Sequence, residues 1–283
     1  MLITSVMIFG TLGIYRKFMP LSSASIACYR GIIGVIFLII FLKISRYNIK
    51  SIFRLDIKNF LLLFLTGIFL GVNWLFLFEG YNYASVSLVT LCCYMQPMFV
   101  IVMSAIFFKE KITLKKFLCF VSALTGMIFI SGIIETGMPG RGDITGMLCG
   151  LCSGFLYALV VIFNKFIKGV DPYAKTIIQL AASSCAMLPY MFFKQSYAGD
   201  VWNLNSLILM LIIGVVNTGL AYALYFGSIE NKNLKAQTIA LFGYLDPVTA
   251  LILAALILGE SLSIYGIIGV ILILGAALVC ELE

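Results

Sequence analysis

Two ionisable residues, Arg30 and Asp246, lie deep inside apolar runs of this chain and are its strongest candidates for chemistry. An ionisable side chain at the centre of a membrane span costs about 2.5–3.5 kcal/mol, so it faces the protein interior and marks a functional site by default. A guanidinium can grip a carboxylate, and a carboxylate can hold an ammonium group. The two residues therefore predict a binding site for a small zwitterion such as an amino acid.

Polar and aromatic residues at similar depth complete the predicted substrate-binding set. Ligand pockets combine apolar walls with a few polar groups that orient the ligand. The further members are Gln96, Asn73, Trp74, Tyr94, Asn217, Tyr222, Tyr244 and Glu79. Glu79 stands at the end of its run, where a solvated position fits equally well. No metal, cofactor or catalytic set is expected, because the chain contains no His and its Cys149–Cys152 pair lacks further ligands.

Three alternatives to this reading are open. Asp246 with Trp and Tyr side chains would form an aromatic cage for a quaternary ammonium such as choline, or for a polyamine. Alternatively, Arg30 and Asp246 would pair with each other, or with backbone carbonyls, and merely hold the helices together. An intramembrane enzyme is the remote alternative, because the chain has no His, no clustered acids and no phosphate-binding loop. We therefore expect a protein that is not an enzyme.

The composition requires a membrane environment for these residues. Hydrophobic residues make up 62% and charged residues 11% of the 283 residues, whereas soluble proteins average about 45–50% and about 25%. So few polar residues cannot cover a soluble surface. The net charge of +7 comes from Lys and Arg between apolar runs, which is a topology signal. The expected partners are the lipid bilayer and a small-molecule substrate, and no nucleic acid.

Ten apolar segments approach or exceed the roughly 20 residues that cross a bilayer. They run over Met1–Phe18, Ser22–Leu42, Asn59–Glu79, Ala84–Phe108, Leu114–Ile133, Ile144–Phe166, Pro172–Phe193, Ser206–Ile229, Leu234–Leu258 and Ser263–Cys280. The first has no charged leader region and no small-residue cleavage site, so we expect it to be retained as a span. Its abrupt start suggests that a few residues precede it.

Basic residues indicate which side of the membrane is cytoplasmic. Lys and Arg concentrate in the connections that share a side with the N-terminus, above all residues 43–58 and 109–116, and are sparse in the alternate connections. Cytoplasmic loops are enriched in Lys and Arg. We therefore predict a multi-pass protein of the cell (plasma) membrane with both termini in the cytoplasm.

An internal repeat relates the two halves of the chain at a spacing of 150 residues. The matching residues are Tyr94 and Tyr244, Pro97 and Pro247, Glu110 and Glu260, and, one polar residue for another, Gln96 and Asp246. Each copy holds five spans, and because five is odd, the second copy enters the membrane from the opposite side. Inverted repeats with broken helices are typical of transporters. Pro97 and Pro247 are expected to kink their helices beside an internal cavity.

With these features the chain resembles the EamA-like ten-helix exporters of the drug/metabolite transporter superfamily. The resemblance rests on residues 83–130, which include YMQPM, on residues 234–278, which include YLDPV, and on ACYRGIIG at 27–34 and the glycine-rich residues 141–169. It implies an all-α membrane protein of ten transmembrane helices in two inverted five-helix repeats, residues 1–136 and 143–283, around a central cavity. It also implies export of small metabolites by alternating access. Proton coupling, exchange and facilitated diffusion stay open, as do a monomer and a homodimer.

Overall fold

The structure of the chain, a computed structural model, describes residues 1–46, 55–109, 113–130, 134, 140–229, 245–260 and 263–281. These residues form helices joined by short connections, and no strand occurs among them. In the described part of the chain, ten helical segments follow one another in the order of the ten predicted spans. The all-helical, ten-segment architecture is therefore confirmed.

Three of the ten segments are interrupted, so their parts carry separate labels. The first five segments are α1 (Leu2–Gly10) with α2 (Leu12–Lys17), α3 (Ser23–Ile44), α4 (Ile57–Tyr83), α5 (Val86–Cys93) with α6 (Gln96–Phe108), and α7 (Leu114–Ile130). The last five are α8 (Arg141–Asn164), α9 (Pro172–Phe193), α10 (Leu204–Leu211) with a π-helical segment (Ile212–Leu220) and α11 (Ala221–Ile229), α12 (Leu245–Leu258), and α13 (Ile264–Glu281).

The helices have the length and surface of membrane-spanning elements. By length and composition, six can cross a bilayer: Ser23–Ile44, Ile57–Tyr83, Val86–Phe108, Arg141–Asn164, Pro172–Phe193 and Leu204–Tyr225. Shorter apolar helices cover Phe117–Phe129, Leu245–Leu258 and Ile264–Ala276. Many large apolar side chains face outward, among them Leu256 and Ile264, which are 77% and 76% exposed. A lipid surround removes such side chains from water, as the hydrophobic effect requires.

Polar residues just ahead of the apolar runs determine where two of the long helices begin. The Ser22 hydroxyl accepts a hydrogen bond from the backbone N–H of Ser25 at the start of α3. The Asp171 carboxylate accepts from the backbone N–H groups of Tyr173 and Ala174 at the start of α9. Such N-caps satisfy N–H groups that have no acceptor within the helix.

Glycine stripes bring the central helices close together. A Cβ added at Gly150 would lie 2.6 Å from the carbonyl oxygen of Val89, and one at Gly154 would lie 2.5 Å from that of Cys93. Only glycine permits so close an approach of two backbones in a membrane. The stripes comprise Gly146, Gly150 and Gly154 on α8 and Gly67 and Gly71 on α4.

Helices from both halves of the chain alternate around the interior. Helix α4 packs against α8 and α9, and α3 packs against α9 and the π-helical segment. Helix α1 packs against α11 and α12, while α5 and α6 pack against α8. Helices α7 and α13 pack against each other. This arrangement surrounds the candidate site with α3, α4, α8, α11 and α12.

The fourth segment is interrupted at Tyr94 and Met95, directly ahead of Pro97. Pro97 is the second residue of α6, a position that accepts proline because the N–H there has no acceptor within the helix. Pro247 occupies the first described turn of α12 and is buried. The interruption leaves Tyr94 in a turn inside the protein, where its side chain faces α12.

Candidate functional site

Arg30 is buried in the middle of α3, with 2% of its surface exposed. The guanidinium carbon lies 4.0 Å from the ring centroid of Trp74 and 5.6 Å from that of Phe78. Arg30 Nε donates a hydrogen bond of 3.2 Å to Oγ1 of Thr218. Arg30 Nη1 is buried and has no hydrogen-bond partner among the described residues. An unsatisfied buried donor costs about 1–3 kcal/mol, so the hydrogen-bonding capacity of Nη1 is unmet within the described residues.

Two glycines beside Arg30 bring neighbouring helices close to it. A Cβ at Gly31 would lie 2.2 Å from Oγ of Ser184 on α9. A Cβ at Gly34 would lie 2.6 Å from Cγ2 of Thr218 in the π-helical segment. Arg30 therefore sits where α3 meets helices of the second half of the chain.

Asp246 lies in the first described turn of α12 and is half-buried. The Tyr94 hydroxyl donates a hydrogen bond to its carboxylate. The phenols of Tyr81, Tyr157 and Tyr222 are close enough to interact with the carboxylate electrostatically. These tyrosines belong to α4, α8 and α11, so the carboxylate occupies an interior position shared by several segments.

Arg30 and Asp246 face the same phenols without neutralising each other. Tyr222 and Tyr81 each interact electrostatically with both the guanidinium and the carboxylate. Within the described residues, neither charged group forms an ion pair with the other or with any further side chain. The structural ion pair, one of the alternatives open from the sequence, is therefore not what holds these two residues in place.

The two candidate asparagines connect helices across the interior. Asn73 is buried, and its Nδ2 donates to the backbone oxygen and to Oγ of Ser153 on α8, both at 2.7 Å. Asn217 Nδ2 donates to the backbone oxygen of Ile8 at 2.6 Å and to Oγ1 of Thr11 at 2.8 Å. The amide N–H groups of both residues therefore bind neighbouring segments, while Asn217 Oδ1 is buried without a hydrogen-bond partner among the described residues.

Glu79 belongs to a different cluster from Arg30 and Asp246. Its carboxylate accepts hydrogen bonds from the Ser23 hydroxyl at 2.7 Å and from the Asn82 amide at 3.2 Å. Arg16, which is buried, donates to Oδ1 of Asn82 at 2.8 Å and interacts electrostatically with Glu79. We call these four residues the end cluster, because they stand where α2 and α4 end and α3 begins.

The remaining candidates lie around the two charges or outside the described residues. Gln96 is half-buried at the start of α6, and its side chain has no hydrogen bond to the described residues. The Tyr222 ring packs 5.2 Å from that of Phe9. Tyr244 lies in a part of the chain that the structure does not describe. The structure thus brings together Arg30, Trp74, Tyr94, Tyr222 and Asp246 from the predicted set.

Sequence reasoning missed three residues that shape the site. Thr218 holds Arg30 Nε, and Tyr81 and Tyr157 face Asp246. Each stands in an apolar span, where a single hydroxyl gives no periodic signal. The nearest available hint was position, since Thr218 directly follows Asn217, which the sequence did mark.

The model of the EamA-like transporter family matches residues 1–132 and 144–281. The "Uncharacterized transporter YxxF" of Bacillus subtilis (strain 168) is 26% identical over 277 residues, which are 96% of this chain and 85% of that protein. "Protein PecM" of Dickeya dadantii (strain 3937) is 23% identical over 216 residues, 75% of this chain and 70% of that protein.

A solved structure is similar in fold along nearly the whole chain. That crystal structure aligns with a TM-score of 0.66 at 18% identity and covers 98% of this chain and 94% of its own. Since the family model matches both halves of the sequence, the family assignment does not depend on this likeness. The chain, a multi-pass membrane protein of ten helical segments, belongs to the EamA-like transporter family.

Proposed function

We propose that this transporter carries an amino acid or a similar small zwitterionic metabolite and exports it by alternating access. The observation that carries the proposal is the buried guanidinium of Arg30. Its Nη1 has no hydrogen-bond partner in the described part of the chain, and no carboxylate there is paired with it. An anionic group on the substrate would complete this arrangement.

A carboxylate is the natural complement of the free edge of Arg30. Thr218 takes the Nε–H, and Trp74 covers one face of the guanidinium. Nη1 has no partner among the described residues, and a carboxylate accepts hydrogen bonds from a guanidinium, two in parallel where an edge is open. An uncompensated charge in a low-dielectric interior is unfavourable. The attraction between Arg30 and a substrate carboxylate is therefore stronger in this buried site than it would be at the surface.

Asp246 supports an ammonium at the other end of the substrate. Its carboxylate accepts a hydrogen bond from Tyr94 and has no cationic partner among the described residues. An ammonium has three N–H donors, which the carboxylate and the phenol oxygens of Tyr81 and Tyr222 would accept. Because the same two phenols face Arg30, one small molecule would contact both charges.

The aromatic cage for a quaternary ammonium has weaker support. Such a cage needs open aromatic faces around the cation. The Trp74 face is already covered by the Arg30 guanidinium at 4.0 Å. A bound quaternary ammonium would also lie near the positive charge of Arg30, which would repel it.

Packing between the two halves supports inverted five-helix copies over residues 1–136 and 143–283. The third segment packs against the sixth and seventh, and the eighth packs against the first and second. The fourth segment packs against the sixth, and the ninth packs against the first. If each segment is replaced by the one five places along the chain, the contact of the third with the sixth becomes the contact of the eighth with the first. The other contacts are related in the same way. Alternating access uses two such interchangeable halves.

The two asparagines support the same symmetry at the level of side chains. Asn73 on the third segment bonds a carbonyl and a hydroxyl of Ser153 on the sixth. Asn217 on the eighth segment bonds the carbonyl of Ile8 and the hydroxyl of Thr11 on the first. We call these two arrangements the asparagine clamps. Each joins segments that are equivalent in the proposed repeat, the third with the sixth and the eighth with the first.

We further propose that the protein lies in the plasma membrane with both termini in the cytoplasm. The support is the concentration of Lys and Arg in connections on the side of the N-terminus. The end cluster then lies at the outer surface. The test is a C-terminal fusion to a reporter enzyme that is active only outside the cytoplasm. Activity of the fused reporter would contradict this orientation.

The substrate proposal is tested by thermal unfolding of the detergent-purified protein with single ligands. The panel contains the twenty proteinogenic amino acids, choline and spermidine. A ligand at 100 times its Kd stabilises the folded state by about 2.7 kcal/mol. We expect one or more amino acids to raise the Tm of the wild-type protein. The shift should disappear in Arg30→Met and in Asp246→Asn and persist in the exposed controls Lys194→Met and Asp143→Asn.

Two results would overturn the substrate assignment. The first is a Tm shift with choline or spermidine that survives Arg30→Met and disappears in Asp246→Asn, which is the result that a cation cage gives. The second is an amino-acid shift that is unchanged in both site variants, because the ligand would then bind elsewhere.

The proposal treats the protein as a carrier and not as an enzyme. Sealed vesicles containing the purified protein and loaded with the stabilising amino acid should release it chemically unchanged. Recovery of a modified product without net movement across the membrane would contradict the carrier function.

A further inference from the structure

We propose that Thr218 is a positioning residue for substrate binding, and that the π-helical segment Ile212–Leu220 exists to aim Arg30 at the substrate through it. The inference rests on the proposed function, since it assigns Arg30 to the substrate carboxylate. Arg30 Nε donates to Thr218 Oγ1 at 3.2 Å. Among the side chains that the structure describes, Thr218 is the one that accepts a hydrogen bond from Arg30 Nε.

The Thr218 hydroxyl is oriented to accept this bond. Its own proton is donated to the backbone oxygen of Ile213 at 2.9 Å. A hydroxyl has one donor and two acceptor lone pairs. With the proton directed at Ile213, the lone pairs are available to the Nε–H of Arg30.

The π-helical register makes this donation possible. Ile213 stands five residues before Thr218, which is the spacing of π-helical hydrogen bonds. A hydroxyl in an α-helix bonds carbonyls three or four residues back. Because π-helical turns are rare and often mark functional sites, their presence beside a buried arginine needs a reason, and the orientation of Thr218 supplies one.

Small residues bring the π-helical segment near enough to α3 for the contact. A Cβ at Gly34, one turn from Arg30, would lie 2.6 Å from Cγ2 of Thr218. A Cβ at Gly219 would lie 2.4 Å from the ring of Phe37, also on α3. Each of the two helices therefore contributes a glycine to the contact, Gly34 from α3 and Gly219 from the π-helical segment. The resulting close approach lets the short side chain of Thr218 reach the guanidinium.

Neighbouring contacts hold Thr218 in place. Asn217, the preceding residue, donates to Ile8 and Thr11 on the first segment. The second asparagine clamp thus fixes the backbone that carries Thr218. Thr218 holds Nε and Trp74 covers one face of the guanidinium, so the two contacts restrain Arg30 in an orientation in which Nη1 has no partner among the described residues.

Thr218→Val and Thr218→Ser test the inference, because valine keeps the shape of threonine and removes the oxygen while serine keeps the oxygen. The probe is the amino acid that gives the largest Tm shift in the wild-type protein. We expect Thr218→Val to raise its Kd roughly tenfold, with the maximal transport rate changed far less. Thr218→Ser should restore most of the affinity.

Trp74 fluorescence gives a second measurement that needs no ligand. The chain has two tryptophans, and Trp202 is 45% exposed, so Trp202→Phe leaves Trp74 as the only tryptophan, whose emission is excited selectively at long wavelength. In that background Thr218→Val should change the emission maximum of Trp74, because the cation over its ring moves. Thr218→Ser should keep the emission of its parent.

A Thr218→Val protein with unchanged Kd and unchanged Trp74 emission would overturn the inference. Should that variant not fold, Gly34→Ala provides another route, since the added methyl pushes Thr218 away from α3. Gly34→Ala with unchanged Trp74 emission would overturn the inference as well. Failure of the proposed function looks different: no amino acid would then shift the wild-type Tm, while the emission measurement would still report on Thr218 and Arg30.

Discussion

Glu260 caps the first turn of α5 and meets Ser87 there with two hydrogen bonds. One carboxylate oxygen accepts from the Ser87 backbone N–H at 3.0 Å and from its hydroxyl at 2.8 Å, and the other accepts from the Val86 N–H at 2.8 Å. Lys17 Nζ donates to the backbone oxygen of Ala84 in the same connection at 3.2 Å. The cap joins the end of α12 to the start of the segment that contains Tyr94.

Replacing Glu260 should loosen this connection between the halves. In Glu260→Gln the amide nitrogen would face N–H donors, so one cap bond is lost and the charge at the helix N-terminus disappears. We expect a loss of about 1–2 kcal/mol in the free energy of unfolding. Thermal unfolding in detergent measures it. Glu260→Asp, which keeps the charge, should lose less than Glu260→Gln, and equal losses would contradict a cap that depends on charge.

Asp246→Asn should remove transport of amino acids, and Tyr94→Phe should weaken it. The asparagine cannot neutralise an ammonium, whereas loss of the Tyr94 hydroxyl removes one hydrogen bond that orients the carboxylate. Flux of the stabilising amino acid across proteoliposome membranes is the measurement. The exposed Asp143→Asn serves as the matched control. Wild-type flux in Asp246→Asn would remove Asp246 from the substrate site.

The asparagine clamps should make similar contributions to stability. Asn73→Leu removes the two hydrogen bonds to Ser153, and Asn217→Leu removes those to Ile8 and Thr11. Hydrogen bonds between membrane helices contribute about 0.6 kcal/mol on average and up to about 1.7. We expect each variant to lower the free energy of unfolding by about 1–2 kcal/mol. A loss in one variant and none in the other would argue against the two clamps as symmetry counterparts.

Gly150→Ala should destabilise the protein, whereas Gly275→Ala should not. A Cβ at Gly150 would lie 2.6 Å from the backbone oxygen of Val89, but one at Gly275 meets nothing within 4 Å. Both glycines are helical, so alanine favours the helix at each by about 1 kcal/mol and only the close approach differs. Thermal unfolding of the two variants compares them directly. Equal Tm values would mean that α8 and α5 can separate without loss.

Much of the fold was predictable because membrane helices can be recognised from the local sequence. An apolar run of sufficient length must be helical in lipid, since every backbone group needs a partner within the segment. Residues close together in the sequence also account for the Ser22 and Asp171 caps and for the glycine stripe of α8. The two buried charges were identifiable for the same reason, since an ionisable residue in an apolar run is conspicuous.

The relations between distant residues were not predictable. The sequence placed Glu79 with the substrate candidates, but the structure puts it in the end cluster beside Arg16. It proposed an ion pair between Arg30 and Asp246 as one alternative, yet Arg30 contacts Trp74 and Thr218 instead. Such choices depend on how separate helices meet, which no local pattern records.

The amino-acid sequence by itself therefore determined that the chain crosses a membrane in ten helical segments and buries Arg30 and Asp246 in them, because hydropathy and charge act residue by residue. Only the tertiary structure decided which groups surround those charges. Thr218 stands 188 positions after Arg30, and Glu260 stands 173 after Ser87. Packing of helices at glycine contacts brings these residues within hydrogen-bonding distance, and that packing is a property of the whole chain.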